Sequence, residues 1–296
     1  MSKIIFSLSA SRTLAKNVAK LLDCELGKSK ISRFKDGEVL AVTQSDVKGK
    51  DVILIQSTSK PANTHLFEIL LFVDSLKRGG AKSIKLFIPY LGYSRQDHAW
   101  NNEPISIEII ARILDGMNVN TIYSFDIHTE RIKNFFKTEL VNIYPSKLFA
   151  DYFKKLGLDT NNVVVVAPDH GSNERAQYLK EALNAKQLVV LNKYRPKPNV
   201  AEHLVTDENF ENMDCILVDD IIDTGGTLVS ATKLLREKGA KHVYICGTHG
   251  VFSDHAEEKL LNENLDGLVV TNTISKRRNP RVKVLDVSSL IVEKIK

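Results

Sequence analysis

Short β-branched runs bounded by Gly, Pro, Ser or Asp recur along the chain. They fall at residues 4–8, 52–56, 85–89, 121–126, 163–168, 188–192, 215–219, 243–247, 268–272 and 282–286. Most are apolar on both faces, the pattern of strands buried in a parallel sheet. Between them lie helical patterns. Leu14, Val18, Leu21 and Leu22 follow the cap candidate Ser11, and Leu66, Ile69, Leu70, Val73 and Leu76 precede the stop Gly79-Gly80. Alternating strand and helix predicts an α/β layer fold. Ten strands exceed what one mononucleotide-binding sheet usually holds, and the pattern divides into two comparable halves. The expected domains are residues 1–145 and 146–296, each a mostly parallel sheet flanked by helices. The C-terminal helix is a candidate to pack on the first domain.

Composition narrows the class without naming a function. With 43% hydrophobic and 26% charged residues, the chain is neither collagen-like nor disordered. The net charge is only +5, which implies no bulk affinity for nucleic acid. Cys24, Cys215 and Cys246 are too few and too far apart for a disulfide framework and show no C-x-x-C spacing. A reducing, cytoplasmic setting is expected. No apolar stretch approaches the ~18 residues of a membrane span, and Met1–Phe6 leads into a strand rather than a signal-peptide core.

The strongest chemical signal is Ile216-Leu217-Val218-Asp219-Asp220-Ile221-Ile222-Asp223-Thr224-Gly225-Gly226-Thr227. It reads as a strand delivering two adjacent carboxylates, then a Gly/Thr loop, then a helix beginning near Leu228. Backbone N–H groups of such a loop and the helix N-terminus make an anion site. Gly225 and Gly226 permit close approach, and Thr224 and Thr227 can donate to phosphate oxygens. Asp219 and Asp220 would repel a phosphate. Sugar hydroxyls or a magnesium ion suit them better. The simpler reading is a polar turn capped by Asp223 or Thr224.

Other segments stay open when taken alone. Phe34, Asp36 and Glu38 could stack and hydrogen-bond an adenine, or simply form an Asp-Gly turn after a strand-edge Phe. Arg95 offers a planar fork for phosphate oxygens with Gln96 and Asp97 beside it, or the three form a solvated loop. His128 and Asp169 both follow strands, where open α/β sheets place ligands. They could share a magnesium ion, although imidazole is an uncommon ligand for it and a surface or capping histidine is the commoner case. Lys193 and Arg195 precede Pro196-Lys197-Pro198, and are expected on a mobile loop that closes over phosphates or stays in solvent.

The stretch 216–227 resembles the phosphoribosyl-diphosphate motif of type I phosphoribosyltransferases and their relatives. Arg33–Glu38, Gln56–Ser59, Tyr93–Asp97, Pro104–Ser106, Asp126–His128 with Phe135-Phe136, Ala167–Asp169, Lys193–Arg195, Thr248–Gly250 and Thr271–Thr273 recur in this order in ribose-phosphate diphosphokinases. The chain is therefore similar to that family from its first strand to about residue 290. The resemblance implies two phosphoribosyltransferase-like domains, ATP in the first and ribose 5-phosphate in the second. It implies transfer of the β,γ-diphosphoryl group of MgATP to C1 of ribose 5-phosphate with release of AMP.

The resemblance also implies roles. Phe34, Asp36, Glu38, Arg95, Gln96 and Asp97 would bind ATP. Asp219 and Asp220 would hold the ribose hydroxyls, and Asp223, Thr224, Gly225, Gly226 and Thr227 the 5-phosphate. His128 and Asp169 would bind Mg²⁺, Lys193 and Arg195 would act in catalysis, and the chain would be a homo-oligomer, dimer-based or hexameric.

Some positions depart from the family pattern. Ser172 and Glu174 stand where a Gly and a cation are usual, His98-Ala99-Trp100 where further cations follow Asp97, and Arg131, Lys133 and Asn134 where glutamines and a glycine are usual. The chain stops at Lys296 without the family's usual C-terminal segment. Reduced phosphate activation and nucleotide inhibition are expected from these changes. A non-catalytic regulatory subunit and a base phosphoribosyltransferase are the alternative readings.

Overall fold

The computed structural model describes residues 3–194, 203–275 and 278–295, with Lys193, Tyr194 and His203 described by backbone only. The strands are β1 (Lys3–Ser7), β2 (Glu25–Leu26), β3 (Ser29–Arg33), β4 (Val39–Thr43), β5 (Asp51–Ile55), β6 (Ser83–Ile88), β7 (Thr121–Phe125), β8 (Leu140–Ile143), β9 (Val163–Ala167), β10 (Gln187–Val190), β11 (Asn192–Tyr194), β12 (His203–Val205), β13 (Asp214–Ile222), β14 (His242–Gly250), β15 (Gly267–Thr271) and β16 (Val282–Leu285). The helices are α1 (Arg12–Leu22), α2 (Ala62–Arg78), α3 (Ser106–Gly116), α4 (Ser146–Lys155), α5 (Asn173–Leu183), α6 (Gly226–Glu237), α7 (Ala256–Leu261) and α8 (Ser288–Ile295).

The chain divides into two units. The first takes Met1–Ile143 together with Thr273–Ser275 and Asp286–Lys296, and the second takes Tyr144–Asn272 with Lys276–Leu285. Its main break thus lies two residues before the 145/146 boundary read from the sequence. In the first unit a six-stranded parallel sheet runs β2-β1-β5-β6-β7-β8, with β3 and β4 as a separate hairpin. α8 belongs here and packs on α1. Asn17 Nδ2 donates to Asp286 Oδ2 at 2.8 Å at that seam. The core contains Phe6 edge-on to Phe72 at 5.3 Å between ring centres.

The second unit repeats the order. Its parallel sheet runs β10-β9-β13-β14-β15-β16. All five residues of β9 are buried on both faces, which explains why Val163–Ala167 shows no alternation.

All ten predicted strands are present. Missed were β2 and β8, the two edge strands of the first unit's sheet, each too short to stand out: both residues of β2 are exposed, and β8 buries only its two ends. The hairpin β3–β4 was also missed. Two corrections follow from hydrogen bonding. Ser11 precedes α1 but its hydroxyl does not cap the helix; it accepts from the Ser57 N–H at 2.9 Å. Lys193 lies in β11, paired antiparallel with β12 at Leu204, rather than in a loop. Arg195 and the Pro196-Lys197-Pro198 segment lie outside the described residues.

Strand order locates the ligand-binding ends. Open α/β sheets bind ligands where successive connections leave in opposite directions, at the carboxyl ends of the strands. In the first unit that point lies between β1 and β5, and the protein fills it with its own polar network. Glu68, 2% exposed, accepts from the Ser9 hydroxyl at 2.6 Å and from Gln56 Nε2 at 2.8 Å, while Gln56 Oε1 accepts from the Ala10 N–H at 3.0 Å. In the second unit it lies between β9 and β13, where the acidic strand end and the Gly/Thr loop emerge.

Candidate functional site

β13 runs two residues past the acidic pair, so Asp219 and Asp220 sit within a strand, held by its ladder to β14. Successive side chains of a strand point to opposite faces. Asp220 is accordingly 3% exposed, while the Asp219 side chain keeps 22% of its surface. α6 starts at Gly226, two residues earlier than the sequence pattern suggested. Gly225 is its N-cap at φ +77°, and a Cβ there would come within 3.3 Å of Leu260, so both conformation and space require glycine. Thr224, Gly226 and Thr227 are exposed around it. The positive end of the α6 dipole and a loop lined by hydroxyls therefore face solvent directly beyond two carboxylates.

A second segment completes this group. Asp169, just after β9, accepts from the Ser172 N–H at 3.2 Å and so caps the short helical turn His170–Ser172. The Ser172 hydroxyl donates to Asp219 Oδ1 at 2.8 Å. Arg175, from the first turn of α5, has only 7% of its side chain exposed. Its Nη1 donates to the Gly171 carbonyl at 3.0 Å and lies 3.6 Å from Asp220 Oδ1 and 4.0 Å from Asp219 Oδ1. Sequence reasoning treated Ser172 only as a departure and gave Arg175 no role. Spacing carried a faint signal, since a cation one turn into the helix after a strand-end Asp is placed to reach a neighbouring strand end. Burial and the adjacent Asp220 charge raise the Asp219 carboxyl well above the ordinary carboxylate range, against the opposing pull of Arg175 and the Ser172 hydrogen bond. Asp220 lies nearer the same guanidinium, which is thus shared by both carboxylates.

The first unit holds two more groups of predicted residues. Phe34, Asp36 and Glu38 form the exposed tip of the β3–β4 hairpin. The Phe34 N–H donates to the Glu38 carbonyl at 2.9 Å, the Glu38 N–H to Asp36 Oδ1 at 3.1 Å, and Gly37 turns at φ +98°. The second group is the segment after β6. Tyr93 takes φ +66°, the Gln96 N–H donates to the Tyr93 carbonyl, and the Ser106 hydroxyl donates to Gln96 Oε1. Arg95 and Gln96 are exposed and Asp97 is buried. Asp97 joins His98, Thr129 and Arg131 through hydrogen bonds and an ion pair, and the charge of His128 acts on it. These contacts bring His128 together with the 95–97 segment; the hairpin tip is held by bonds within its own turn.

Mg²⁺ keeps several waters and is bound through one or two carboxylates plus substrate phosphates rather than by an all-protein cage. Among the described residues no group of three or more His, Cys, Asp and Glu could hold a metal. Asp169 supplies hard carboxylate oxygen at the mouth of the acidic group. One or two such ligands fit what Mg²⁺ requires of a protein.

The N-terminal domain of ribose phosphate pyrophosphokinase matches residues 3–117, and the phosphoribosyl synthetase-associated domain matches residues 190–296. A ribose-phosphate pyrophosphokinase from Fusobacterium nucleatum is 41% identical over 295 residues, covering 98% of this chain and 93% of that protein. The chain belongs to the ribose-phosphate pyrophosphokinase family. The ribose-phosphate pyrophosphokinase of Bacillus subtilis is 40% identical over 98% of this chain and 92% of its own. The crystal structure of phosphoribosylpyrophosphate synthetase from Mycobacterium smegmatis superposes with a TM-score of 0.91 at 35% identity, covering 100% of this chain and 98% of that one. Agreement at that level runs through both units, so the ribose-phosphate pyrophosphokinase fold extends beyond the acidic loop that first suggested it.

Proposed function

We propose that the chain is a ribose-phosphate diphosphokinase, an ATP-using transferase that moves the β,γ-diphosphoryl group of ATP to the C1 hydroxyl of ribose 5-phosphate and releases AMP. The observation that carries this reading is the acidic strand end followed by a Gly/Thr helix N-terminus at the β9/β13 switch point, in a chain related along nearly its whole length to ribose-phosphate pyrophosphokinases.

Each group of residues has a task that its chemistry suits. Thr224, Gly225, Gly226 and Thr227, with Asp223 beside them, cradle the 5-phosphate at the α6 N-terminus. Asp220, ion-paired with Arg175, accepts from one ribose hydroxyl. Asp219, with its raised carboxyl, accepts from or donates to the other. In the first unit Phe34 offers its exposed ring to adenine, Asp36 and Glu38 accept from the nucleoside, and Arg95 with Gln96 holds the phosphates. Asp97 belongs to the same ATP segment.

The reaction is an in-line displacement in which the anomeric hydroxyl attacks the β-phosphorus and AMP departs. No covalent enzyme intermediate is needed. Holding both substrates in place can remove roughly 7–11 kcal/mol of the barrier at best. Lys193 and Arg195 supply cations to the charge that develops on the transferred group. His128 and Asp169 would hold Mg²⁺, which when bound neutralises phosphate charge.

We further read the enzyme as cytoplasmic and homo-oligomeric. Among the described residues no helix is long and apolar enough to cross a membrane. The exposed pairs Phe67/Leu71 on α2 and Ile109/Ile113 on α3, each four residues apart, present apolar helix faces of the kind subunits cover. The deciding assay is AMP release from MgATP that depends on ribose 5-phosphate. No AMP at saturating substrates and Mg²⁺, or nucleotide formation from a free base and the sugar diphosphate, would overturn the reading.

A further inference from the structure

Asp97 sits in the proposed ATP segment with its carboxylate turned inward. The residue is 3% exposed. Oδ1 accepts from His98 Nδ1 at 2.8 Å and Oδ2 from the Thr129 hydroxyl at 2.5 Å. Arg131 reaches within 3.4 Å of Oδ1, and its Nη2 also donates to the Asp97 main-chain carbonyl. An uncompensated buried carboxylate is costly. Burial alone would push this one up, yet the bonds from His98 and Thr129 and the charges of Arg131 and His128 hold it below the ordinary range. Asp97 is committed to protein partners, whereas its neighbours Arg95 and Gln96 are exposed.

Two features distinguish this from an incidental ion pair. Arg131 holds the carboxylate and the main-chain carbonyl of one residue together, so it restrains both the side chain and the path of the segment. It also projects from the short helical turn Glu130–Phe135, which is itself anchored. Lys133 Nζ lies 2.5 Å from Glu130 Oε2, Asn142 Nδ2 donates to Glu130 Oε1 at 2.7 Å, and Asn142 Oδ1 accepts from the Ile127 N–H at 3.0 Å. From the other side the Ile107 N–H donates to the Gln96 carbonyl at 3.3 Å at the start of α3. The segment is thereby fixed between α3 and the turn after β7.

We infer that Arg131 is a positioning residue for the adenine nucleotide: acting through Asp97, it sets Arg95 and Gln96 against the ATP phosphates, and Asp97 does not itself touch the nucleotide. The inference rests on the diphosphokinase reading and refines one of its assignments. A planar guanidinium suits the task because it can serve two acceptors at fixed angles, which an ammonium cannot reproduce.

The test uses Arg131→Ala, Arg131→Lys, Asp97→Asn and the double variant Asp97→Asn/Arg131→Ala in the full chain. Steady-state kinetics are measured in each substrate, and calorimetric titration is run with a non-hydrolysable ATP analogue. Arg131→Ala is expected to raise KM for ATP and Kd for the analogue by about 10- to 100-fold, the range for a lost charge-assisted contact. KM for ribose 5-phosphate should stay within about twofold. Arg131→Lys should fall between wild type and Ala, and the double variant should be no worse than the poorer single one, because both changes cut the same link.

Unchanged nucleotide affinity in Arg131→Ala, equal rises in both KM values, or additive losses in the double variant would each overturn the inference while leaving the enzyme assignment standing. Should Arg131→Ala not fold, the Lys variant decides by the same two constants. A wild-type protein that neither binds the analogue nor releases AMP would overturn the assignment itself, and the inference with it.

Discussion

Arg175 places one guanidinium nitrogen 3.6 Å from Asp220 and 4.0 Å from Asp219, so a cation on α5 holds together two carboxylates adjacent in β13. Replacing it with methionine keeps the volume and leaves the acids without a counter-charge. Arg175→Met is expected to destabilise the fold by about 3 kcal/mol or more, the usual cost of stranding a buried charge. Urea unfolding at neutral pH measures it. Adding Asp220→Asn should recover part of the loss, and equal stabilities for the single and double variants would contradict the pairing.

Asp219 should show a conflict between function and stability. Its folded carboxyl is raised, so the folded state prefers the protonated form. Stability associated with that group is full below the ordinary carboxylate range and is lost as pH rises through the folded value. Asp219→Asn removes the ionisation altogether. The variant should be at least as stable as wild type at neutral pH, with the difference vanishing as pH falls, while turnover drops by about 100-fold or more through loss of a sugar contact. Unfolding midpoints across pH, paired with the AMP assay, check both halves.

If Asp219 holds the sugar as proposed, Ser172 contributes to its recognition through the 2.8 Å bond it donates to that carboxylate. Ser172→Ala is expected to cost about 1 kcal/mol, or roughly fivefold in KM for ribose 5-phosphate, with KM for ATP unchanged. Kinetics in each substrate separate the two.

Gly225 tests the geometry of the proposed phosphate loop. At φ +77°, with Leu260 3.3 Å from where a Cβ would stand, Gly225→Ala should lose about 1–2 kcal/mol to backbone strain alone. Relieving the contact with Leu260→Ala should not restore it, because the strain is in the backbone. Thermal unfolding of the three proteins decides.

The thiols provide a simple check of burial. Burial and the neighbouring Asp214 push the Cys215 thiol up to about 12, and Cys246 is fully buried, whereas Cys24 is partly exposed. A thiol reagent at pH 8 should titrate one cysteine in the native protein and all three in denaturant. The Cys215 contribution to stability should fall as pH rises past the ordinary thiol range towards about 12.

Much of this was readable from the chain alone, for reasons specific to each element. Val163–Ala167 announced a buried central strand because five β-branched or small residues in a row have no other economical use, and residues 216–227 pointed to the proposed phosphate loop because glycines, threonines and paired acids together exceed what a capped turn needs. Edge strands such as β2 escaped notice, since a two-residue exposed pairing leaves no hydrophobic trace. Ser11 misled for a related reason. A serine before a helix is ordinarily a cap, and only the three-dimensional neighbourhood reveals that its hydroxyl serves the Ser57 N–H instead.

Sequence by itself determined the layer architecture, the ten principal sheet strands and the family, because periodicity and local motifs are properties of neighbouring residues. Tertiary structure alone decided that Arg175 and Ser172 complete the acidic pair, that Glu68 fills the first unit's switch point, and that Asp97 turns inward to Arg131. Those relationships join residues 12 to 59 positions apart. Which partner a buried charge or hydroxyl finds depends on how the sheets order their strands, and no local pattern encodes that order.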